Sequence, residues 1–199
     1  NRFRWYDSAL PEFRRPFRVS KTSQAGTASM SYSTIAKSFH WGVAALFAYG
    51  VVKQVDNVRQ LEDSALLRFE IGSATLFLVI LAIRYVYVTK TQRSALPPET
   101  GRFQRMAARL VHLGMYAGLA SIAVTGLLIA LLFWLGLRDG LLMQVVTELH
   151  GVAVTLSYWL IGMHVIAAVC HRLRGDGVWS AMTPVWKETP TSVRNKDAR

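Results

Sequence analysis

Five histidines, His40, His112, His150, His164 and His171, are the residues of this sequence whose type and spacing can do chemistry. Imidazole ligates metals and carries protons near neutral pH. Each of the five falls inside an apolar run or at its end, and an ionisable group in such a place marks function by default. One isolated histidine there is most simply explained by a hydrogen bond to a neighbouring helix. Five, among so little other intramembrane polarity, point further. His150 and His164 are 14 residues apart, which on an α-helix returns to within about 40° of the same face after a rise of about 21 Å. A single helix therefore offers two imidazoles to one side, too far apart for one metal ion and suitably spaced for two stacked hemes. His171 follows seven residues beyond His164 on roughly the same face.

The elements that must position these groups are four apolar segments, at about 34–53, 65–88, 107–133 and 148–172. Each approaches the ~20 residues that a helix needs to cross the hydrocarbon core. The first holds Lys37 and His40 in its opening turns, the second holds Glu70 inside its outer end, and the third is almost uncharged beyond Arg109. A basic arm precedes the first run, which therefore reads as a span and not as a cleavable leader. Hydrophobic residues make up 52% of the 199-residue chain, yet the net charge is +11. A soluble domain accommodates that combination badly; a membrane protein separates it into apolar spans and basic loops. The Lys and Arg residues flank the spans and form no separate domain, which argues against nucleic acid. Seventeen lie before the first span's interior, between the second and third spans, or after the fourth, against two in the other two loops, Arg59 and Arg138. That asymmetry places both termini in the cytoplasm. The expectation is an all-α, integral membrane, up-down-up-down four-helix bundle over residues 34–172, with a basic, aromatic-containing arm at 1–33 and a polar tail at 173–199.

Depth then pairs the histidines. His40 lies about 9 Å inside the cytoplasmic end of the first span and His164 about 12 Å inside that of the fourth. The match suits bis-imidazole ligation of one heme iron, and Gly42, Ala44, Ala45, Gly162, Ala167 and Ala168 leave room for a flat macrocycle, although membrane helices use the same small residues simply to pack. His150, at the opposite side, faces no histidine; the polar residue at its depth in the second span is Glu70. His112 lies on the cytoplasmic side with His171. Cys170 is the only cysteine, so intrachain disulfides and CxxC sites are excluded. No nucleotide-binding or hydrolase motif has supporting context.

With FHW at 39–41, Arg84 closing the second span, H-x-x-x-Y at 112–116 followed by Gly126, and H-x13-H-x6-H at 150–171, the chain resembles the bacterial cytochrome b561 family over about residues 33–185. That family is related to the cytochrome b subunits of nickel-iron hydrogenases and formate dehydrogenases. The resemblance implies a multi-pass protein of the bacterial inner membrane in which His40 and His164 ligate a cytoplasmic-side heme b. It also implies a second heme held by His150 and a second-span histidine, but that second-span position is Glu70. A carboxylate is not among the usual axial ligands of heme. Three outcomes stay open: no outer heme, with Glu70 and His150 hydrogen-bonded to each other; a five-coordinate heme on His150 alone; or Glu70 on or above the iron. A single heme is the favoured count.

The resemblance also associates the neighbourhood of His112 and His171 with quinone, where a titratable imidazole can exchange the proton that accompanies quinol oxidation. Binding a propionate or a carbonyl is the alternative role. Arg84, Arg109 and Lys37 lie at the same level, within reach of propionates or of lipid phosphates. The first functional expectation is thus a membrane cytochrome exchanging electrons with the quinone pool. The second, from a different class, is a structural or accessory subunit of a larger respiratory or photosynthetic membrane complex that keeps the fold with one or no functional heme. Phe3, Trp5, Tyr6, Phe13 and Phe17, interleaved with arginines in the arm, suit the anionic membrane surface or a protein partner. Gly114-x3-Gly118 reads as a close-packing motif, and Trp41, Phe133, Trp134 and Trp179 as an interfacial belt.

Overall fold

The computed structural model describes residues 32–53, 57–91 and 100–183. The aromatic residues of the arm, and the tail beyond residue 183, lie outside them. Four long helices follow one another: α1 (Thr34–Val52), α2 (Ser64–Thr91), α3 (Arg102–Trp134) and α4 (Leu141–Arg174), with a short α5 (Val178–Met182) at the end. All four long helices are apolar enough to cross a membrane. Ser33 starts α1 by accepting from the Ala36 amide at 3.2 Å, and Asp63 accepts from the Ala65 amide at 2.8 Å where α2 begins. These caps satisfy amides that have no partner within the helix. A 3-10 turn, Val58–Glu62, leads into α2 and packs against it. Gly136 and Gly140, at φ 80° and 101°, turn the chain between α3 and α4, and Gly175 at φ 67° ends α4. Such left-handed backbone favours glycine.

α2, α3 and α4 run longer than the apolar segments alone predict, whereas α1 matches its segment. α4 begins at Leu141, so the expected loop over 134–147 contains its first two turns. Its 34 residues span about 51 Å, well beyond a hydrocarbon core of about 30 Å. Met143 and Val146 in those extra turns are buried with Leu61, Leu132 and Phe133, which gives the segment a reason to be helical. Phe133, expected in the interfacial belt, is 5% exposed and belongs to this core. Trp41 and Trp134 are exposed.

Neighbours in sequence are neighbours in space: α1 packs on α2, α2 on α3, and α3 on α4, whereas α1 and α4 make at most marginal backbone contact. Aromatic side chains reach across that opening, Phe47 and Tyr158 with ring centres 6.1 Å apart. The tightest seam is α3 on α4. A Cβ on Gly118 would stand 2.6 Å from Ser157 Oγ, and one on Gly114 would stand 3.2 Å from Leu160. The Gly114–Gly118 motif therefore does what small residues do in membranes, letting backbones approach where no hydrophobic force drives helices together. Ser157 is fully buried there. A second core of Val43, Leu81 and Leu119 fills the middle of the bundle. The remaining large apolar side chains, such as Trp159, Ile166 and Leu173, face outward. α5 packs back on α4, and the Tyr32 amide donates to the Ala181 carbonyl at 3.2 Å. The end where α1 begins and α4 finishes is called proximal below, and the opposite end distal.

Candidate functional site

At the proximal end three helices bring imidazoles together. The rings of His40 (α1) and His164 (α4) have centres 6.2 Å apart, and that of His112 (α3) lies 5.1 Å from His164. α2 supplies Arg84, whose Nη2 donates to His40 Nδ1 at 2.9 Å and whose Nη1 donates to the Tyr116 hydroxyl. Tyr85 stacks edge-on against Tyr116 at 5.1 Å. A guanidinium can only donate, so Nδ1 of His40 is the acceptor and a neutral His40 carries its proton on Nε2. Arg84 Nε is buried without a hydrogen-bond partner among the described residues, and no described carboxylate is paired with this cation. A cation inside a span calls for an anion.

His171 sits a further seven residues along α4, about 10 Å beyond His164. Its Nδ1 is 2.6 Å from Asp176 Oδ2, and Asp176 Oδ1 accepts from the Val178 amide at 3.2 Å. One carboxylate thus orients the histidine and starts α5. His112 Nδ1 contacts the Ala108 carbonyl at 2.6 Å; a carbonyl only accepts, so that nitrogen carries the proton. His112 and His171, expected as a pair, are held by different partners. Arg109 is exposed on α3 and joins no cluster among the described residues.

The proximal residues fit a heme. An imidazole nitrogen lies about 2 Å from a metal it binds and its ring centre about 1 Å further, so two rings on opposite sides of one iron have centres about 6 Å apart. His40 and His164 meet that spacing. The opening between α1 and α4 is where a flat macrocycle would enter, and a Cβ built on Gly42 or Gly162 would meet nothing within 4 Å. The orphaned Arg84 Nε suits a propionate carboxylate. One contact opposes ligation as it stands: with Nε2 on iron, His40 Nδ1 ordinarily keeps a proton, and Arg84 Nη2 must then turn elsewhere.

The distal level is built differently. Arg84 marks the level of His40 and His164; Glu70 lies 14 residues back along α2, and His150 lies 14 residues back along α4. Both therefore sit about 21 Å toward the distal end, within about 40° of the faces that carry Arg84 and His164. His150 Nδ1 is 2.9 Å from Thr125 Oγ1 on α3. The Thr125 hydroxyl donates its single hydrogen to the Ser121 carbonyl at 2.6 Å, so towards His150 it accepts. The His150 proton is thus on Nδ1, and Nε2 presents a bare lone pair. Glu70 is half-buried, and its carboxylate has no partner among the described residues. A hydrogen-bonded Glu70–His150 pair, one of the three expected outcomes, is not formed, because Thr125 takes the imidazole. Above this level an open cavity of about 500 Å³ lies at the distal surface, lined among others by Arg59, Arg138, Thr147 and Glu148.

Sequence reasoning did not assign roles to Tyr116 and Thr125. The four-residue spacing of H-x-x-x-Y puts Tyr116 one turn past His112 on the same face and was a usable signal. Thr125 carried none. No curated protein and no solved structure matches the chain. Among protein-family models, that described as prokaryotic cytochrome b561 matches residues 31–185.

Proposed function

We propose, from the premise that the chain belongs to the prokaryotic cytochrome b561 family, that it passes electrons between the quinone pool and a heme at its proximal end. The family makes it a multi-pass membrane protein that transfers electrons through b-type heme. The observation that carries the finer reading is the approach of His40 and His164 across the α1–α4 opening, with Arg84 beside them. His40 and His164 would hold the iron, and the heme, when bound, supplies the one-electron couple. Arg84, steadied by Tyr116, provides the cation that a propionate or a reduced quinone needs.

His171 is the proton acceptor in this reading. Its Nδ1 is held by Asp176, which leaves Nε2 able to take a proton from a quinol hydroxyl. The fixed carboxylate orients the ring. The excess of Lys and Arg in the segments that adjoin the proximal helix ends supports a cytoplasmic side for this site, with the inner membrane as its location.

The test is heme content by pyridine hemochrome, followed by the rate of heme reduction by a soluble quinol analogue. Wild-type protein is expected to hold a low-spin heme b that quinol reduces, and His40→Ala or His164→Ala to lose it. His171→Ala should keep the heme and slow its reduction by about 10²-fold. Protein without heme would overturn the electron-transfer role and leave an accessory subunit of a larger complex. Heme reduced at an unchanged rate in His171→Ala would remove only the quinone assignment.

A further inference from the structure

The opening turns of α3 carry cations that the fold leaves unanswered. The helix has 33 residues, about 20 Å more than the hydrocarbon core needs. Its apolar run opens at about residue 107, so the turns around and before that point stand at headgroup depth. Arg102, Arg105 and Arg109 are exposed there, within about 60° of one another around the helix and spread over about 10 Å. None has a hydrogen-bond or ion-pair partner among the described residues. The distal end treats its cation otherwise: Arg138 has Glu62 at 3.9 Å and the Phe133 ring at 4.5 Å. Arg105 and Arg109 are also one turn apart, a spacing at which like charges repel. An anion from outside the chain relieves both costs.

The flank beside this stripe is apolar. Phe103, Met106, Leu110 and Leu113 are all exposed and cover about the next 80° of the helix surface. Tyr116, seven residues beyond Arg109 and nearly in line with it, meets Tyr85 of α2 at 5.1 Å between ring centres. The stripe therefore runs along the α2 side of α3, and begins about 10 Å proximal to Tyr116. That distance sets it apart from Arg84, the cation beside His40. Lys90, exposed in the last turn of α2, lies about 8 Å past Tyr85 and so at nearly the depth of Arg109. We propose that this flank binds an anionic phospholipid of the leaflet at the proximal end. Its phosphate lies between Arg105 and Arg109, where guanidinium donors match phosphate oxygens, and Arg102 meets the outer part of the headgroup. Its acyl chains lie along Leu110 and Leu113. A soluble anion satisfies the charges and leaves the apolar flank bare; a zwitterionic lipid covers the flank and brings a cation of its own. An anionic lipid answers both features.

The test titrates the full chain, in a neutral detergent, with phosphatidylglycerol, with phosphatidylcholine and with inorganic phosphate in separate arms. Bound lipid is read by native mass spectrometry and stability by the melting temperature. Phosphatidylglycerol is expected to bind as a discrete adduct and to raise the melting temperature, and the other two to do neither. Arg105→Gln should weaken that binding about fivefold, and substitution of Arg102, Arg105 and Arg109 together about 10²-fold, with the lipid-free melting temperature of Arg105→Gln that of the wild type. Arg174→Gln removes a proximal charge from the end of α4 and should leave binding unchanged. Equal binding of phosphatidylcholine would overturn the proposal by making the flank ordinary lipid-facing surface. Equal weakening by Arg174→Gln and Arg105→Gln would overturn it in favour of a diffuse attraction to the whole basic end. A rise in melting temperature with inorganic phosphate alone would overturn the lipid as the occupant.

Discussion

The proximal and distal levels use the same ligand type and give it opposite protonation. At the proximal end the neighbour of His40 is Arg84, which can only donate, so the imidazole accepts and its Nε2 carries the proton. At the distal end the neighbour of His150 is Thr125, whose hydrogen is already committed to Ser121, so the imidazole donates and its Nε2 is bare. A histidine's usefulness to a metal is therefore decided by what stands behind it. The proximal level has two further imidazoles and a cation close by; the distal level has one imidazole and a lone carboxylate. The proximal level is crowded with groups that can hold or pair with a ligand, and the distal level is sparse.

The contrast can be broken at its sparse end first. Thr125→Val removes the group that holds His150 Nδ1 and should cost about 1–3 kcal/mol of stability by leaving a half-buried imidazole nitrogen unpaired, with the proximal heme unaffected. Thermal unfolding read beside heme content checks it, and loss of the proximal heme would mean that Thr125 acts on the whole bundle and not on His150. The seam between the levels gives the next effect. Gly118→Ala places a methyl 2.6 Å from Ser157 Oγ and should cost about 1–3 kcal/mol, seen as a lower melting temperature. Because Gly118 lies between the two levels, both should loosen together, and Gly118→Ala with Ser157→Gly should recover most of the loss. The smallest change is electronic. Arg84→Gln deletes a cation beside His40 and should lower the midpoint potential of the proximal heme by roughly 50–100 mV, since positive charge favours the reduced form. A redox titration reads it, and an unchanged potential would place Arg84 away from the heme.

Much of this arrangement was legible in the sequence because spacing along a helix is rigid. Fourteen residues fix both a rise and a face, so His150, His164, Glu70 and Arg84 fall into two levels before any coordinates exist, and His40 follows from its depth. What spacing cannot supply is the rotation of one helix against another. In a soluble bundle the apolar stripe reports that rotation; here lipid and interior are both apolar, and the stripe disappears. Thr125 facing His150 and Tyr116 facing Arg84 are consequences of rotation, and so were not foreseen. The extra turns of α4 were missed for a related reason. Met143 and Val146 are buried against Leu61 and Phe133, which come from segments read as loop and belt. Similarly, α5 is held by Asp176 and by the Tyr32–Ala181 bond, and a five-residue helix has no periodicity to announce it.

The row α1-α2-α3-α4, open between its first and last members, also carries a consequence for how the molecule is made. Of the four long helices, the first to leave the ribosome has α2 as its one extensive backbone neighbour, while the best-locked pair, α3 with α4, follows later. Emergence and fastening thus run in opposite orders. A flat cofactor arriving from the bilayer or the cytoplasm meets α2, α3 and α4 closed on one another and α1 fastened along one side alone. The cofactor then becomes the bolt that fixes that door, so newly inserted chains starved of heme should be clipped by membrane proteases at α1 before anywhere else.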